Sequence, residues 1–349
     1  MSESMLANVY HGPRDLRVER VPLPEVGPGD LLLKIEVAAV CASDVRVFKG
    51  EKKAKPGTVL GHEFVGEVAM KGKEVEGFSI GDRVTVYPVV FCGSCFYCQG
   101  GHQNMCVHRK TLGYDYNGGF AEYILIPKQL VRLGNVVKVP EKLSSEEAAL
   151  TEPLGCSLNG IKVLDLQVGG TLLIVGSGPM GLMLLMAAKS SGAGKILVSE
   201  LDEERRNFAK RIGADVVIDP SEEDLVSRVM EETDGLGVDA SVVSVGAPKA
   251  AEGALQALRK EGRINFFAGF PVGSEIVIDP NLIHYKMLHV TASQNAPLIT
   301  FKRALRMMSE GRIDVKPLIT DRFPLEDVKV AIEKRIRLEG LKPEIIPSM

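Results

Sequence analysis

Four of the chain's six cysteines stand in one short segment, Cys92-Gly93-Ser94-Cys95-Phe96-Tyr97-Cys98, closed by Cys106 after a polar loop. Thiols at that spacing suit a tetrahedral zinc site with four thiolate ligands. A disulfide framework is the competing reading, but such frameworks belong to small secreted domains, and this chain has 349 residues with its thiols gathered in one place. A zinc held by four protein ligands has no position open to a substrate. This metal is therefore expected to fix a lobe in shape, with the chemistry elsewhere.

A second set of candidate ligands is spread along the sequence: Cys41-Ala42-Ser43-Asp44, Gly61-His62-Glu63 and Glu152-Pro153-Leu154. One cysteine, one histidine and one or two carboxylates are the ingredients of a catalytic zinc site, in which three protein ligands leave room for water or substrate. No spacing rule ties these residues together, and each has a plainer reading. Cys41 could be a small buried hydrophobe, His62 a hydrogen-bonded polar residue, and Glu152 a charge at a helix N-terminus.

The third motif is Gly176-Ser177-Gly178-Pro179-Met180-Gly181, preceded by the apolar run Leu172–Val175 and followed by the apolar stretch Leu182–Lys189. Gly176 permits a tight turn, Gly178 lets the backbone approach a pyrophosphate, and Gly181 allows close helix packing. Pro179 and Met180 sit where the helix opens, and its N-terminus supplies the dipole. A glycine-rich turn with no ligand is the bland alternative. Context favours a dinucleotide: about twenty residues on, Glu200 ends the strand Ile196–Ser199, where a ribose 2′-hydroxyl would be gripped. A carboxylate there repels a 2′-phosphate, so NAD is expected over NADP. Arg205 pulls the other way if it meets that phosphate, although it could equally lie over the adenine or pair with Glu200.

These motifs need elements to position them. Before about residue 145 the chain reads as short β-type runs, Leu31–Val40, Phe64–Val68 and Arg83–Val86, punctuated by Gly, Pro and Asp. From Ser144-Ser145-Glu146-Glu147, a helix start, the pattern turns helical. The runs Leu172–Val175, Ile196–Ser199, Val216–Ile218, Ala240–Ser244 and Arg263–Ala268 then alternate with helices, the pattern of a parallel sheet covered on both faces. Two further helical stretches follow, Thr300–Glu310 and Leu325–Glu339.

Composition removes other classes of function. Lys plus Arg number 42 against 45 Asp plus Glu, which gives no electrostatic reason to expect nucleic acid or an anionic membrane as partner. Trp is absent and aromatics make up 5%, too few for base-stacking platforms. No apolar run approaches a membrane span and Met1–Arg20 has no signal-peptide core, so a soluble, reducing, cytoplasmic setting is expected.

With Gly81-Asp82-Arg83-Val84 and Gly118-Gly119-Phe120-Ala121-Glu122-Tyr123 added to these motifs, nearly the whole chain resembles the zinc-dependent medium-chain dehydrogenase/reductase superfamily, in its polyol (sorbitol-like) and threonine dehydrogenase branch. The resemblance implies an α/β protein with a GroES-like β-rich catalytic domain over 1–155 that includes the zinc lobe at 92–106. A Rossmann doubly wound NAD-binding domain over 156–290 and a C-terminal segment, 291–349, that returns to the catalytic domain would complete it. It further implies one structural and one catalytic zinc, the latter held by Cys41, His62 and Glu63 with Glu152 as a nearby or alternating ligand. Ser43 would pass the hydroxyl proton toward solvent, and the protein would be a homo-oligomer, dimer or tetramer. The implied activity is hydride transfer between a secondary alcohol, a polyol or sugar derivative, and NAD. An L-threonine 3-dehydrogenase-like enzyme, a general secondary alcohol dehydrogenase and an inactive binding protein on the same fold are the alternatives.

Two departures from the family pattern matter. Ala42 replaces a glycine, and Arg46 stands where the relay histidine used by threonine dehydrogenases falls. Thr291-Ala292-Ser293-Gln294-Asn295 occupies the segment where sorbitol dehydrogenases carry a substrate-side arginine. Arg46 is either a fixed guanidinium suited to a carboxylate or a hydroxyl-rich sugar, or a surface residue on a helix.

Overall fold

The computed structural model describes residues 3–349. Two compact units divide the chain: one takes it up to Glu152 and again over Pro297–Met349, the other is Pro153–Ala296.

In the first unit, a seven-stranded sheet runs in the order Val136–Lys138, Arg83–Val86, Glu63–Lys71, Leu31–Ala39, Lys342–Ile345, Ile319–Phe323, with Tyr123–Ile126 also paired to Leu31–Ala39. A three-stranded antiparallel sheet built on Ser4–Gly12 lies in the same unit. Leu31, Leu33, Phe64, Phe120 and Ile345 meet in its core. The expected β character holds for the strands, but short helices interrupt it at Ala42–Phe48 and Lys128–Arg132. Neither is long enough to display a helical period in sequence. Ser144 caps the next helix, Ser145–Ala149, by accepting from the Glu147 N–H, and the Glu147 carboxylate reaches back to the Ser144 N–H at 3.2 Å.

The second unit contains a six-stranded parallel sheet in the order Val216–Ile218, Lys195–Ser199, Thr171–Val175, Val238–Val243, Leu258–Phe266, His289–Ala292. Numbered along the chain this order is 3-2-1-4-5-6, that of a dinucleotide-binding doubly wound sheet, whose switch point lies at the first strand. Strands covered on both faces need apolar residues throughout, and Leu172, Leu173, Ile174 and Val175 are all buried. No helix among the described residues is long and apolar enough to cross a membrane.

Candidate active site

The four-cysteine segment folds into a tight knot. All four Sγ atoms lie within 4.8 Å of one another, with Cys92 Sγ 3.9 Å from Cys98 Sγ and 3.6 Å from Cys106 Sγ. These separations are too long for a disulfide. They match the spacing of about 3.8 Å that a tetrahedron of Zn–S bonds of about 2.3 Å requires. Backbone N–H groups of Ser94 and Cys95 hold the Cys92 thiol down to about 5, while burial pushes Cys98 up to about 12. A metal is what would bring all four to the thiolate form together. Cys98 and Cys106 pack on Tyr87, Val89, Phe91 and Phe301, so the knot is anchored to an apolar base.

The scattered residues converge as well. Cys41 precedes the helix Ala42–Phe48, which brings Ser43 into the first turn beside it, and Ser43 Oγ donates to Cys41 Sγ at 3.2 Å. The Asp44 carboxylate folds back to accept from the Cys41 N–H at 2.9 Å. His62 comes just before the strand Glu63–Lys71. Successive strand residues point to opposite faces, so adjacent side chains reach one spot only because His62 lies outside the strand. Gly61 makes that turn with φ +88, and a Cβ there would lie 2.8 Å from the Phe120 ring. The ligand atoms of Cys41, His62 and Glu63 lie within 4.8 Å of one another.

Glu63 is completely buried. Its Oε2 meets the Nζ of Lys342, itself buried, and its Oε1 has no hydrogen-bond partner. An unpartnered buried carboxylate oxygen beside a thiol and an imidazole fits a cation. Burial works against a proton on His62, yet the charges of Asp44 and Cys41 hold its imidazole well above the ordinary value. The same negative field favours a divalent metal. His62 Nδ1 lies 3.1 Å from the Tyr114 hydroxyl and 3.4 Å from Asp44 Oδ1, which orients the ring and leaves Nε2 as the nitrogen that could meet a metal. Glu152 stands outside this trio, buried in the first turn of the helix Thr151–Lys162, and its charge reaches Tyr114.

Tyr114 and Lys342 are the participants that sequence reasoning missed. The Tyr114 hydroxyl is 2.6 Å from Ser43 Oγ, and burial raises its pKa well above the ordinary value. Tyr114 lies in the turn before Gly118-Gly119, and no spacing signal links it to Ser43.

In the second unit, Gly176 turns the chain with φ +93, and a Cβ on Gly181 would stand 1.9 Å from the Gly176 carbonyl oxygen. Gly178 caps the helix Pro179–Ser190, with Pro179 at its first position and Met180 next. A Cβ on Gly178 would meet nothing within 4 Å, so the ground a pyrophosphate would approach is open. A groove of about 550 Å³ is lined by Gly176, Glu200, Glu223, Asp224, Lys249 and Glu252, among others. Glu200 accepts from the Ser177 N–H at 2.7 Å and the Asp202 N–H at 3.1 Å. The Arg205 N–H is capped by Asp202. Its neighbour Arg206 braces the Glu200 carbonyl at 2.8 Å and pairs with Asp219.

Comparison with known proteins agrees with this geometry. Residues 27–141 match the alcohol dehydrogenase GroES-like domain, and 179–310 the zinc-binding dehydrogenase domain. The chain is 38% identical to an L-threonine 3-dehydrogenase of Pyrococcus furiosus, over 93% of this chain and 92% of the relative. It is 32% identical to a sorbitol dehydrogenase of Bacillus subtilis, over 99% and 98%. A zinc-binding dehydrogenase from Sinorhizobium meliloti 1021 bound to NADP superposes with a TM-score of 0.93 at 29% identity, covering 99% and 100% of the two chains.

Proposed function

The chain belongs to the zinc-dependent medium-chain alcohol dehydrogenase superfamily, in its polyol branch, and we propose that it transfers hydride between a secondary alcohol of a polyol or sugar derivative and NAD. The observation that carries this reading is the convergence of Cys41, His62 and Glu63 on one spot with the Ser43 hydroxyl beside them. These three residues would hold a catalytic zinc, with Glu152 as a nearby acid, and Cys92, Cys95, Cys98 and Cys106 a structural one. Bound zinc supplies Lewis acidity that lowers the pKa of a substrate hydroxyl. Bound nicotinamide supplies the hydride acceptor.

The chain's own residues do the rest. Ser43 Oγ accepts the substrate's hydroxyl proton as it passes its own on toward solvent, and Tyr114 fixes the Ser43 hydroxyl in place at 2.6 Å. Asp44 and Tyr114 hold His62 through Nδ1. Lys342 steadies Glu63 through one carboxylate oxygen and leaves the other free.

NAD is favoured over NADP by charge. The groove around Glu200 carries four carboxylates, Glu200, Glu223, Asp224 and Glu252, against one ammonium, Lys249. A 2′-phosphate would meet net repulsion there. Glu200→Ala is expected to narrow the preference for NAD by roughly tenfold in kcat/KM. An unchanged ratio of NAD to NADP turnover removes Glu200 from the ribose site.

Threonine is the second reading, favoured by the relative of 38% identity. Cysteines that are all free suit a reducing, cytoplasmic compartment, and a dimer or tetramer follows from the family resemblance. The deciding experiment is NADH formation at 340 nm across polyols, sugars, simple secondary alcohols and threonine, with added zinc and with chelator. Zinc-dependent turnover of a hydroxyl-rich compound is the expected result. Silence across the panel in protein that binds zinc and NAD would overturn the reading.

A further inference from the structure

Two half-buried cations beside the metal cluster have no part in the chemistry above. Lys52 follows the helix Ala42–Phe48, and its backbone N–H donates to the Arg46 carbonyl at 3.1 Å, which folds the chain back over the motif. Its ammonium lies 3.6 Å from the centroid of the Tyr114 ring. The hydroxyl of that ring is 2.6 Å from Ser43 Oγ. One aromatic ring therefore separates the Lys52 charge from the hydroxyl that would receive the substrate's proton.

The charges around Lys52 are lopsided. Burial holds its ammonium below the ordinary pKa; the negative groups of Cys41 and Asp44 work against that, and the positive groups of Arg109 and Arg46 add to it. Both negative groups are engaged elsewhere. Asp44 is held by the Cys41 N–H and faces His62, while Cys41 belongs to the metal cluster. Neither Lys52 nor Arg46 has a carboxylate within 4.0 Å among the described residues. Half-buried cations that share one region with no carboxylate in contact repel each other, and an anionic ligand relieves both the repulsion and the desolvation. The Arg46 guanidinium presents a planar fork to a phosphate or carboxylate, and Lys52 adds a point charge.

We infer that Lys52 and Arg46, with Arg109 in range, form an anion subsite beside the metal cluster, so that the substrate is a secondary alcohol bearing a phosphate or carboxylate rather than a neutral polyol. This inference rests on the proposed dehydrogenase reading and narrows its substrate class. The Tyr114 ring is the floor between subsite and cluster, and it places the anion a short carbon chain from the carbinol.

The test compares carbon-matched probes on the zinc-loaded full chain: D-arabitol, D-arabitol 5-phosphate and D-arabinonate, read as NADH formation. Preference for the phosphate or for the carboxylate identifies which anion is taken. The expected result is a kcat/KM for one anionic probe roughly 100-fold above that for D-arabitol. Lys52→Met and Arg46→Gln should each lower that ratio at least about tenfold through KM, and Lys52→Arg should restore most of it. Equal turnover of all three probes overturns the inference while leaving the dehydrogenase reading intact. A rise in the KM for NAD with an unchanged probe ratio also overturns it, because the cations would then serve the dinucleotide's phosphates. Should no probe be turned over, calorimetric binding of the same probes decides: anion binding lost in Lys52→Met supports the subsite, and no anion binding removes it.

Discussion

The four-thiol knot and the Cys41–His62–Glu63 cluster lie in one unit of the same chain and are built in opposite ways. The knot draws all four thiols from 92–106, and backbone N–H groups of Cys92, Cys95 and His108 point at its sulfurs. The cluster draws on a helix start, a strand start and, through Lys342, a strand almost at the other end of the chain. The knot is saturated by its own side chains, so a metal there can only hold shape. The cluster has three candidate ligands of unlike chemistry, one carboxylate oxygen with no partner, and a hydroxyl beside the thiol. Local ligation gives rigidity, whereas ligation gathered from distant segments gives a place where a fourth partner can enter.

The sharpest way to break this contrast is to remove one ligand from each cluster. His62→Ala should lower kcat by three orders of magnitude or more while one zinc per chain remains bound, measured by metal analysis of the purified variant. Near-full turnover would dissolve the distinction between a catalytic and a structural centre. Cys98→Ala should do the reverse at first: the variant loses zinc from the knot and its melting temperature falls, with a stability loss of several kcal/mol. If its melting curve is unchanged, the knot does not hold the lobe in shape.

A smaller effect concerns Glu344, which shares its strand with Lys342. Neither of its carboxylate oxygens has a hydrogen-bond partner, and burial pushes its pKa up to about 8. The sign follows from linkage. The folded protein holds this proton more tightly than the unfolded chain, whose group titrates near 4.5. The contribution of Glu344 to stability is therefore full below about 4.5 and is lost as pH rises toward 8. Glu344→Gln should flatten that decline, a gain on the order of 4 kcal/mol above the upper limit. Parallel stability–pH curves for variant and parent from denaturant titration would count against a neutral Glu344.

Much of this organisation could be read before any coordinates. The parallel-sheet strands fall close to their apolar runs, and Ser144 begins its helix through the capping box. The knot is visible because its ligands are near neighbours. Lys342 and Tyr114 were invisible for the converse reason, since their partners Glu63 and Ser43 lie 279 and 71 positions away. The brace of Arg206 on the Glu200 carbonyl, from the helix Glu203–Ile212, is likewise a contact that no motif spacing announces. Pattern marks an element and its face, but a contact across the fold depends on how the elements pair.

The strand Lys342–Ile345 lies between Leu31–Ala39 and Ile319–Phe323. During synthesis its absence sets a schedule. The parallel sheet has all its strands from a continuous stretch and can form as soon as that stretch has left the ribosome, whereas the Lys342 brace on Glu63 must wait for a strand made much later. Until then Glu63 lacks its ammonium partner, and the sheet edge at Ala38 and Ala39 is open to other chains. Loss of those few residues should therefore appear less as slow catalysis than as a poor yield of soluble chain.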